Sequence, residues 1–121
     1  MTVNNYSDLV VWNRAMDLTV EIYRICKLLP REEMYVLGDQ LRRAAISVPS
    51  NIAEGYARST REYIRFLGYA SGSVYEVETQ IQIAARVGCV QSSDIEPTLA
   101  LCAEVARMLN SMISKLSQAN Q

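Results

Sequence analysis

Few residues of this 121-residue chain carry the groups that catalysis uses. Histidine is absent, which removes the commonest general base and metal ligand together with Ser-His and Cys-His nucleophile pairs. Neither glycine-rich phosphate loop, G-x-x-x-x-G-K or G-x-G-x-x-G, occurs in the sequence. The three cysteines are far apart and form no C-x-x-C pair, so no disulfide framework or zinc site is predicted. The sequence therefore predicts a protein that is not an enzyme, with no catalytic residues, no cofactor, no metal and no identified small-molecule substrate.

Arginine is the chemically distinctive residue type, and it is concentrated in the middle of the chain. Between Arg42 and Arg65 five arginines face two acidic residues, whereas between Glu76 and Glu104 one arginine faces five acidic residues. A local positive excess can attract the phosphates of RNA or DNA, or it can neutralise the acidic segment across a helix contact. The net charge of −1 and the pI of about 5.4 count against a dedicated nucleic-acid binder. The candidate partner or nucleic-acid face comprises Arg42, Arg43, Arg58, Arg61 and Arg65.

A structural hypothesis competes with this functional one. In it, Arg42 or Arg43 pairs with the glutamate at position 76 or 78 on the next helix, because a planar guanidinium matches a carboxylate. The side chains at positions 47 and 51 bond the carbonyls left free by Pro49, which has no N–H. The sequence favours this structural explanation. The predicted structural polar cluster consists of Arg43, Ser47, Asn51, Glu54, Glu76 and Glu78.

Helical periodicity predicts the elements that position these residues. Apolar residues recur at three- and four-residue spacing, and short polar connections separate the periodic segments. The predicted fold is an all-α, antiparallel, up-down-up-down four-helix bundle whose second helix is kinked at Pro49. Ser7 or Asp8 should cap the first helix, and capping boxes beginning at Ser59 and Ser93 should start the third and fourth. Within the single domain, residues 1–121, the helices are expected at about 8–29, 36–58, 60–88 and 93–117, with residues 31–35 as a connection or a single helical turn.

The first helix is predicted to carry more apolar surface than its own bundle needs. Either this helix is central in the bundle or part of its surface meets another subunit, and the second is expected. Tyr23 and Tyr63 are expected in the core. Gly68 and Gly72 on the third helix are expected at a tight helix–helix contact, because glycine inside a helix is otherwise unfavourable. One stripe of the first helix consists of Trp12, Ala15, Met16, Thr19, Tyr23 and Cys26, and the adjacent stripe consists of Val11, Leu18, Ile22, Ile25 and Leu29.

Several segments of the chain are similar to a known bacterial family. Residues 40–55 follow the pattern Q-L-R-R-A-A-x-S-[IV]-P-x-N-I-A-E-G, and matching segments lie at residues 8–12, 62–67 and 76–80. Over about residues 6 to 90, the chain resembles the four-helix-bundle family named for proteins encoded in 23S rRNA intervening sequences. The resemblance implies an antiparallel bundle that assembles into a ring, typically a homopentamer.

A similar bundle is the accessory protein of diversity-generating retroelements, which works beside a reverse transcriptase and binds nucleic acid through a basic surface. The resemblance thus adds RNA or DNA to the expected partners. The biochemical function of the 23S rRNA intervening-sequence family itself is not established. The acidic pI of this chain differs from the strongly basic character of the retroelement relatives.

The sequence therefore predicts a non-enzymatic, self-assembling bundle protein that acts as a ring-shaped scaffold or interaction module. The alternative hypothesis is an RNA- or DNA-binding accessory protein that uses the arginine-rich face. No segment is apolar and long enough to span a bilayer, and the first residues show no export signal. The expected location is the cytoplasm, without a membrane partner.

Overall fold

A computed structural model describes residues 4–119 of the chain, and every regular element in that range is helical. The all-α class and the four-helix bundle are confirmed. Along the described residues, no helix combines the length and the apolar character that crossing a membrane requires. The elements are a 3₁₀ turn at Tyr6–Asp8, α1 at Val10–Cys26, a single helical turn at Arg31–Met34, α2 at Leu37–Tyr56, α3 at Thr60–Arg86 and α4 at Ser92–Ala119.

The four long helices enclose one continuous apolar core. Each helix packs on the next one along the chain, and α4 closes the bundle against α1. Short connections between consecutive helices make neighbours antiparallel. The largest fully buried side chains come from all four helices and are Leu18, Ile22, Ile25, Leu41, Val48, Ile52, Leu67, Val74, Val77, Ile81, Val105 and Leu109. The apolar residues that recur at three- and four-residue spacing therefore face the core.

The ends of α1 differ from the prediction. The predicted cap at Ser7 or Asp8 is wrong, because both residues belong to a separate 3₁₀ turn in which the side chain of Asn5 accepts a hydrogen bond from Ser7 N at 3.0 Å. The C-terminal end at Leu29 is also wrong. Beyond Cys26 the chain tightens into bonds between residues three apart, including Leu29 N to Cys26 O at 3.2 Å, so the α-helical pattern stops earlier.

The starts of α3 and α4 use side-chain caps as expected, but one cap lies at a different residue. Ser59 Oγ accepts a hydrogen bond from Glu62 N at 3.3 Å and caps α3. The cap predicted at Ser93 is wrong because α4 begins at Ser92. There Asp94 Oδ2 reaches back and accepts a hydrogen bond from Gln91 N at 2.9 Å. A carboxylate near the first turn also complements the positive end of the helix dipole.

Pro49 lies inside α2, which continues through it without interruption. The carbonyl of Ala45, which lacks its usual partner because proline has no N–H, accepts a hydrogen bond from the Thr19 hydroxyl of α1 at 3.1 Å. The predicted role of Ser47 and Asn51 is wrong in this respect. Ser47 Oγ donates to Ala44 O and Asn51 Nδ2 donates to Ser47 O, so neither side chain bonds the Ala45 carbonyl. The hydrogen-bond donor to that carbonyl comes from the neighbouring helix α1. The bend at Pro49 stays a prediction.

Glycines serve packing at one position of the bundle and not at two others. A Cβ atom added at Gly55 would lie 2.6 Å from Phe66 Cβ, so α2 and α3 can approach only because this residue has no side chain. Gly68 and Gly72 are exposed, with nothing within 4 Å of an added Cβ. The predicted tight contact at Gly68 and Gly72 is therefore wrong within the described residues of this chain.

Candidate functional site

The five candidate arginines do not form one face. Arg42 lies in the second turn of α2, whereas Arg58 lies just beyond the end of that helix. A rise of 1.5 Å per residue separates these two positions by roughly 24 Å along the axis. Arg61 and Arg65 belong to the first two turns of α3 and are therefore close to Arg58 in the chain. The structure therefore divides the predicted face into a pair on α2 and a trio at the α2–α3 connection.

Arg42 has a structural role. Its Nη2 donates to Asp39 Oδ1 at 2.6 Å and to the carbonyl of Met34 at 2.9 Å. These bonds tie the single turn at Arg31–Met34 to the start of α2. The predicted pairing of Arg42 with a glutamate on α3 is wrong, because the nearer Asp39 is one helical turn away on the same helix.

Arg43 shares a shallow polar groove with part of the predicted polar cluster. The groove, about 240 Å³ in volume, lies between α2 and α3 and is also lined by Ser47, Glu76 and Gln80. Among the described residues Arg43 forms no ion pair, so its predicted pairing with Glu76 or Glu78 is also wrong. Exposed long side chains pair weakly because water screens their charges.

The remaining members of the predicted polar cluster have separate partners. Ser47 Oγ contacts the hydroxyl of the buried Ser73 and thereby links α2 to α3. Asn51 Nδ2 donates to the backbone carbonyl of Ser47, one turn earlier on the same helix. Glu54 Oε1 lies 3.4 Å from Arg58 Nη2 at the exposed end of α2. The groove thus brings together positions 43, 47 and 76, and Glu54 pairs elsewhere.

Thiols of this chain are poorly suited to nucleophilic chemistry. Burial raises the pKa of Cys102 to about 12, and the charge of Glu78 adds to this shift. Burial also raises the pKa of Cys26, whose Sγ lies 3.7 Å from the carbonyl of Gly38. A thiol with a raised pKa carries little of the reactive thiolate at neutral pH. Within residues 4–119, no group of three ligand-type side chains is placed to hold a metal ion.

The trio at the α2–α3 connection is combined with aromatic rings. The guanidinium carbon of Arg58 lies 4.8 Å from the centre of the Phe66 ring, and that of Arg65 lies 5.8 Å from the rings of both Phe66 and Tyr69. We call this set the arginine corner; it consists of Arg58, Arg61, Arg65, Phe66 and Tyr69. The sequence pattern alone did not pair the arginines with the rings, although Arg65, Phe66 and Tyr69 lie within four residues.

The outer surface between α1 and α2 is largely apolar. A groove of about 350 Å³ runs along it, and Met16, Val20 and Tyr23 continue it as an exposed row at helical spacing on α1. The predicted core position of Tyr23 is therefore wrong, whereas Tyr63 packs against the core. We call this surface the α1–α2 face; its groove is lined by Tyr6, Trp12, Met16, Thr19, Ile46, Pro49, Ser50 and Ala53.

The opposite flank of α1, which faces α4, is charged. Arg14 Nε and Nη2 donate to the two carboxylate oxygens of Glu104 at 2.6 and 3.1 Å, and Arg14 Nη1 donates to Asp17 at 2.7 Å. The hydrogen bond from Arg14 holds the pKa of Glu104 below its usual value. Further along α1, Arg24 donates to the carbonyl of Asp94 at 3.1 Å.

A second apolar groove lies where α1 begins beside the C-terminal half of α4. Its volume is about 540 Å³, and its lining includes Val10, Met108, Met112 and Arg107. This groove was not predicted, because Val10 belongs to neither predicted stripe of the first helix. Methionines at four-residue spacing on the last helix were the available signal.

A protein with a solved crystal structure has the same fold. It is a protein of unknown function from the S23 ribosomal protein family of Bacteroides thetaiotaomicron, and it superposes on this chain with a TM-score of 0.80. Sequence identity is 24%, and the superposition covers 86% of this chain and 98% of the other. At this identity the likeness demonstrates the fold alone. No curated protein matches the chain.

The sequence profile described as 23S rRNA-intervening sequence protein matches residues 7–111. The matched range contains α1, α2 and α3 completely and most of α4, so it includes the arginine corner and all of the α1–α2 face except Tyr6. The resemblance in the segment around Pro49 thus extends over nearly the whole described bundle. On this match, the chain belongs to the 23S rRNA-intervening sequence protein family.

Proposed function

We propose that this protein is a non-enzymatic, self-assembling scaffold in which the α1–α2 face of each subunit contacts a different surface of the next subunit. The single observation that carries the proposal is the apolar character of that face. Met16 on α1 and Ile46 on α2 are exposed and line the groove between the helices, and Val20 and Tyr23 are exposed within the next two turns of α1. Among the described residues no ion pair joins α1 to α2 across this boundary.

Burial of this face in an assembly would supply the driving force. Removing apolar surface from water is favourable by about 25 cal/mol per Å², or about 1.5–3 kcal/mol for a fully buried Val, Ile or Met side chain. Val20 and Ile46 are 66% and 43% exposed, so both retain much of this free energy for a contact outside the chain. The groove beside them gives a partner side chain a place to enter.

We propose a closed ring as the form of the assembly, with five subunits as the family resemblance implies. In a ring each subunit uses one surface to contact a different surface of the next subunit. In such a ring every subunit carries one arginine corner. Within the subunit this corner lies at the opposite end of α2 from the Arg31–Met34 turn. The repetition of one surface around a ring is what a scaffold offers to its partners.

Light scattering after gel filtration tests the assembly directly. We expect a mass that is a multiple of the 13.6 kDa chain, five for the proposed pentamer, and stable on dilution. A monomer at all concentrations would contradict self-assembly, while another multiple would contradict the pentamer alone.

Matched variants test the α1–α2 face. The double variant Val20→Glu/Ile46→Glu should reduce the mass to that of the monomer, because two charges would be buried in the contact without partners. The control Val87→Glu/Ile83→Glu changes the same residue types at 65% and 44% exposure on α3 and the turn after it, and should keep the wild-type mass. Helical circular dichroism should remain unchanged in both. An intact assembly in the folded Val20→Glu/Ile46→Glu variant would contradict the assignment of this face.

A further inference from the structure

We propose that the arginine corner binds single-stranded nucleic acid, with the arginines on phosphates and the ring of Tyr69 stacked on a base. The inference goes beyond the proposed scaffold and does not depend on assembly, because all five residues of the corner belong to one chain. It starts from the geometry of the side chains: the guanidinium groups of Arg58 and Arg65 lie over one aromatic ring, that of Phe66.

The cations of the corner remain available to a ligand. Two carboxylates lie among them: Glu54 at 3.4 Å from Arg58, and Glu62, whose Oε2 lies 2.9 Å from Arg65 Nε. Both pairs join residues of one helix or its end. The Glu54–Arg58 pair is well exposed, so solvent screens it. In the second pair Arg65 is exposed, whereas Glu62 Oε2 is covered. Arg61 is exposed and forms no ion pair among the described residues. A phosphate can therefore add to Arg58 and Arg61 without first breaking a buried pair.

The corner also has the rigidity that a binding surface needs. Phe66 is held against α2 because Gly55 allows its Cβ to approach closely. Tyr69 makes an edge-on contact with Phe66, with ring centres 5.5 Å apart, and yet is 49% exposed. The ring of Tyr69 is thus oriented by its neighbour while a large part of it stays open to solvent.

The combination of an exposed tyrosine ring with arginines favours a single-stranded nucleic acid over other anionic partners. Bases stack on aromatic side chains only when they are not paired inside a duplex, whereas arginine contacts to phosphate serve either form. An acidic peptide would use the cations but leave the exposed tyrosine ring without a stacking partner. The small number of cations predicts moderate affinity and strong dependence on salt.

Fluorescence anisotropy with labelled 12-nucleotide oligo(U) and oligo(dT) tests the proposal on the full chain at low salt. We expect binding whose logarithmic salt slope is about −2, from roughly 0.7 per phosphate contact on single strands. Duplex DNA and a poly-glutamate peptide should compete at least tenfold more weakly. No anisotropy change for the folded wild-type protein, or equal competition by poly-glutamate, would overturn the proposal.

Variants distinguish the corner from the general charge of the protein. Tyr69→Ala should weaken binding about tenfold or more without altering charge, whereas Tyr69→Phe should bind like the wild type. Arg58→Glu/Arg61→Glu should abolish binding. The control Arg31→Glu/Arg86→Glu makes the same charge change at exposed arginines near the other end of the bundle and should bind within about threefold of wild type. Equal losses in both double variants would refute a local site, and the mass of each variant by light scattering reports assembly separately.

Discussion

The two flanks of α1 are built on different principles. On the α4 side, Arg14 forms a bidentate ion pair with Glu104, and Arg24 donates a hydrogen bond to the carbonyl of Asp94. On the α2 side, the polar links among the described residues are the hydroxyl of Thr19 on the carbonyl of Ala45 and the thiol of Cys26 on the carbonyl of Gly38. The groove surface around Thr19 is largely apolar. Between Arg14 and Arg24 the α4 flank can face water as it stands, because its charged side chains form these bonds. Its apolar groove lies at the start of α1, beside Met108 and Met112. The α2 flank exposes apolar area that a partner can cover.

This difference shows why the α2 flank is the better candidate for assembly. A charged flank gains little from a partner, since its ions lose hydration when they are buried. An apolar flank gains free energy from each square ångström that leaves water. The hydrogen bond from Thr19 to the Ala45 carbonyl, which compensates for the missing N–H of Pro49, lies on the same flank. Neighbouring residues of α1 and α2 therefore both stabilise the bundle and form the surface that a partner can cover.

Leu18→Ala should have the largest effect, because Leu18 is fully buried beneath both flanks. The lost contacts and the resulting cavity should lower the free energy of unfolding by about 2–5 kcal/mol. Urea denaturation measures this change. Leu28→Ala, at a half-exposed position in the turn after α1, is the control and should cost less than about 0.5 kcal/mol. Equal costs for both variants would show that the core side of α1 is wrongly placed.

Thr19→Val tests the polar link of the apolar flank and should cost about 1–3 kcal/mol, because it leaves the buried carbonyl of Ala45 without a partner. The hydroxyl has one proton and shares it with the carbonyl of Ala15, which remains bonded within the helix. In a Pro49→Ala background, residue 49 regains an N–H for Ala45. The cost of Thr19→Val should then fall, giving a coupling energy of about 0.5 kcal/mol or more in a double-mutant cycle. Strict additivity would separate Thr19 from the proline.

Glu104→Gln tests the charged flank through its pH dependence. Arg14 lowers the pKa of Glu104 in the folded state below its ordinary value of 4.5. The resulting stabilisation is present above the unfolded-state pKa and is lost as the pH falls through the lower folded-state pKa. Wild-type protein should therefore exceed Glu104→Gln in melting temperature at pH 7, and the gap should close below about pH 4.5. A constant gap from pH 7 to pH 3 would exclude this ion pair as its source.

Thr98→Val should have the smallest effect and is the counterpart of Thr19→Val on the charged flank. Thr98 is fully buried, but its hydroxyl lies 3.5 Å from Glu21 Oε1, a long contact to a partly exposed carboxylate that also pairs with Arg24. Its loss leaves no buried acceptor unsatisfied, so the cost should stay below about 1 kcal/mol. Thermal denaturation of both threonine variants side by side measures the contrast. A larger cost for Thr98→Val than for Thr19→Val would reverse the comparison.

Local sequence patterns predicted most of the bundle correctly. The buried residues of α4 between Ile95 and Leu109 and those of α3 between Leu67 and Ala84 repeat at the three- and four-residue spacing seen in the sequence. The cap at Ser59 was also predictable, because an N-cap depends on residues within one turn. Patterns of this kind succeed where the decisive neighbours are close in sequence.

Predictions about partners were less accurate. Arg42 was expected to bond to α3 but binds Asp39 one turn away. Tyr23 was expected in the core, yet α1 turns its adjacent stripe inward and leaves this ring half-exposed. Arg58 and Arg65 were predicted only as members of a positively charged face, and the position of their guanidinium groups over the Phe66 ring was not predicted. Each of these outcomes depends on the rotation of a helix or on which of several carboxylates is nearest.

The sequence by itself determined that this chain forms four amphipathic helices and lacks histidine-based chemistry, because periodicity and residue type are properties of the chain alone. Only the tertiary structure decided which stripe of α1 is buried, which atom replaces the missing N–H of Pro49, and which arginines meet aromatic rings. The physical reason is that the rotation and closeness of packed helices are set by the fit of all their side chains together.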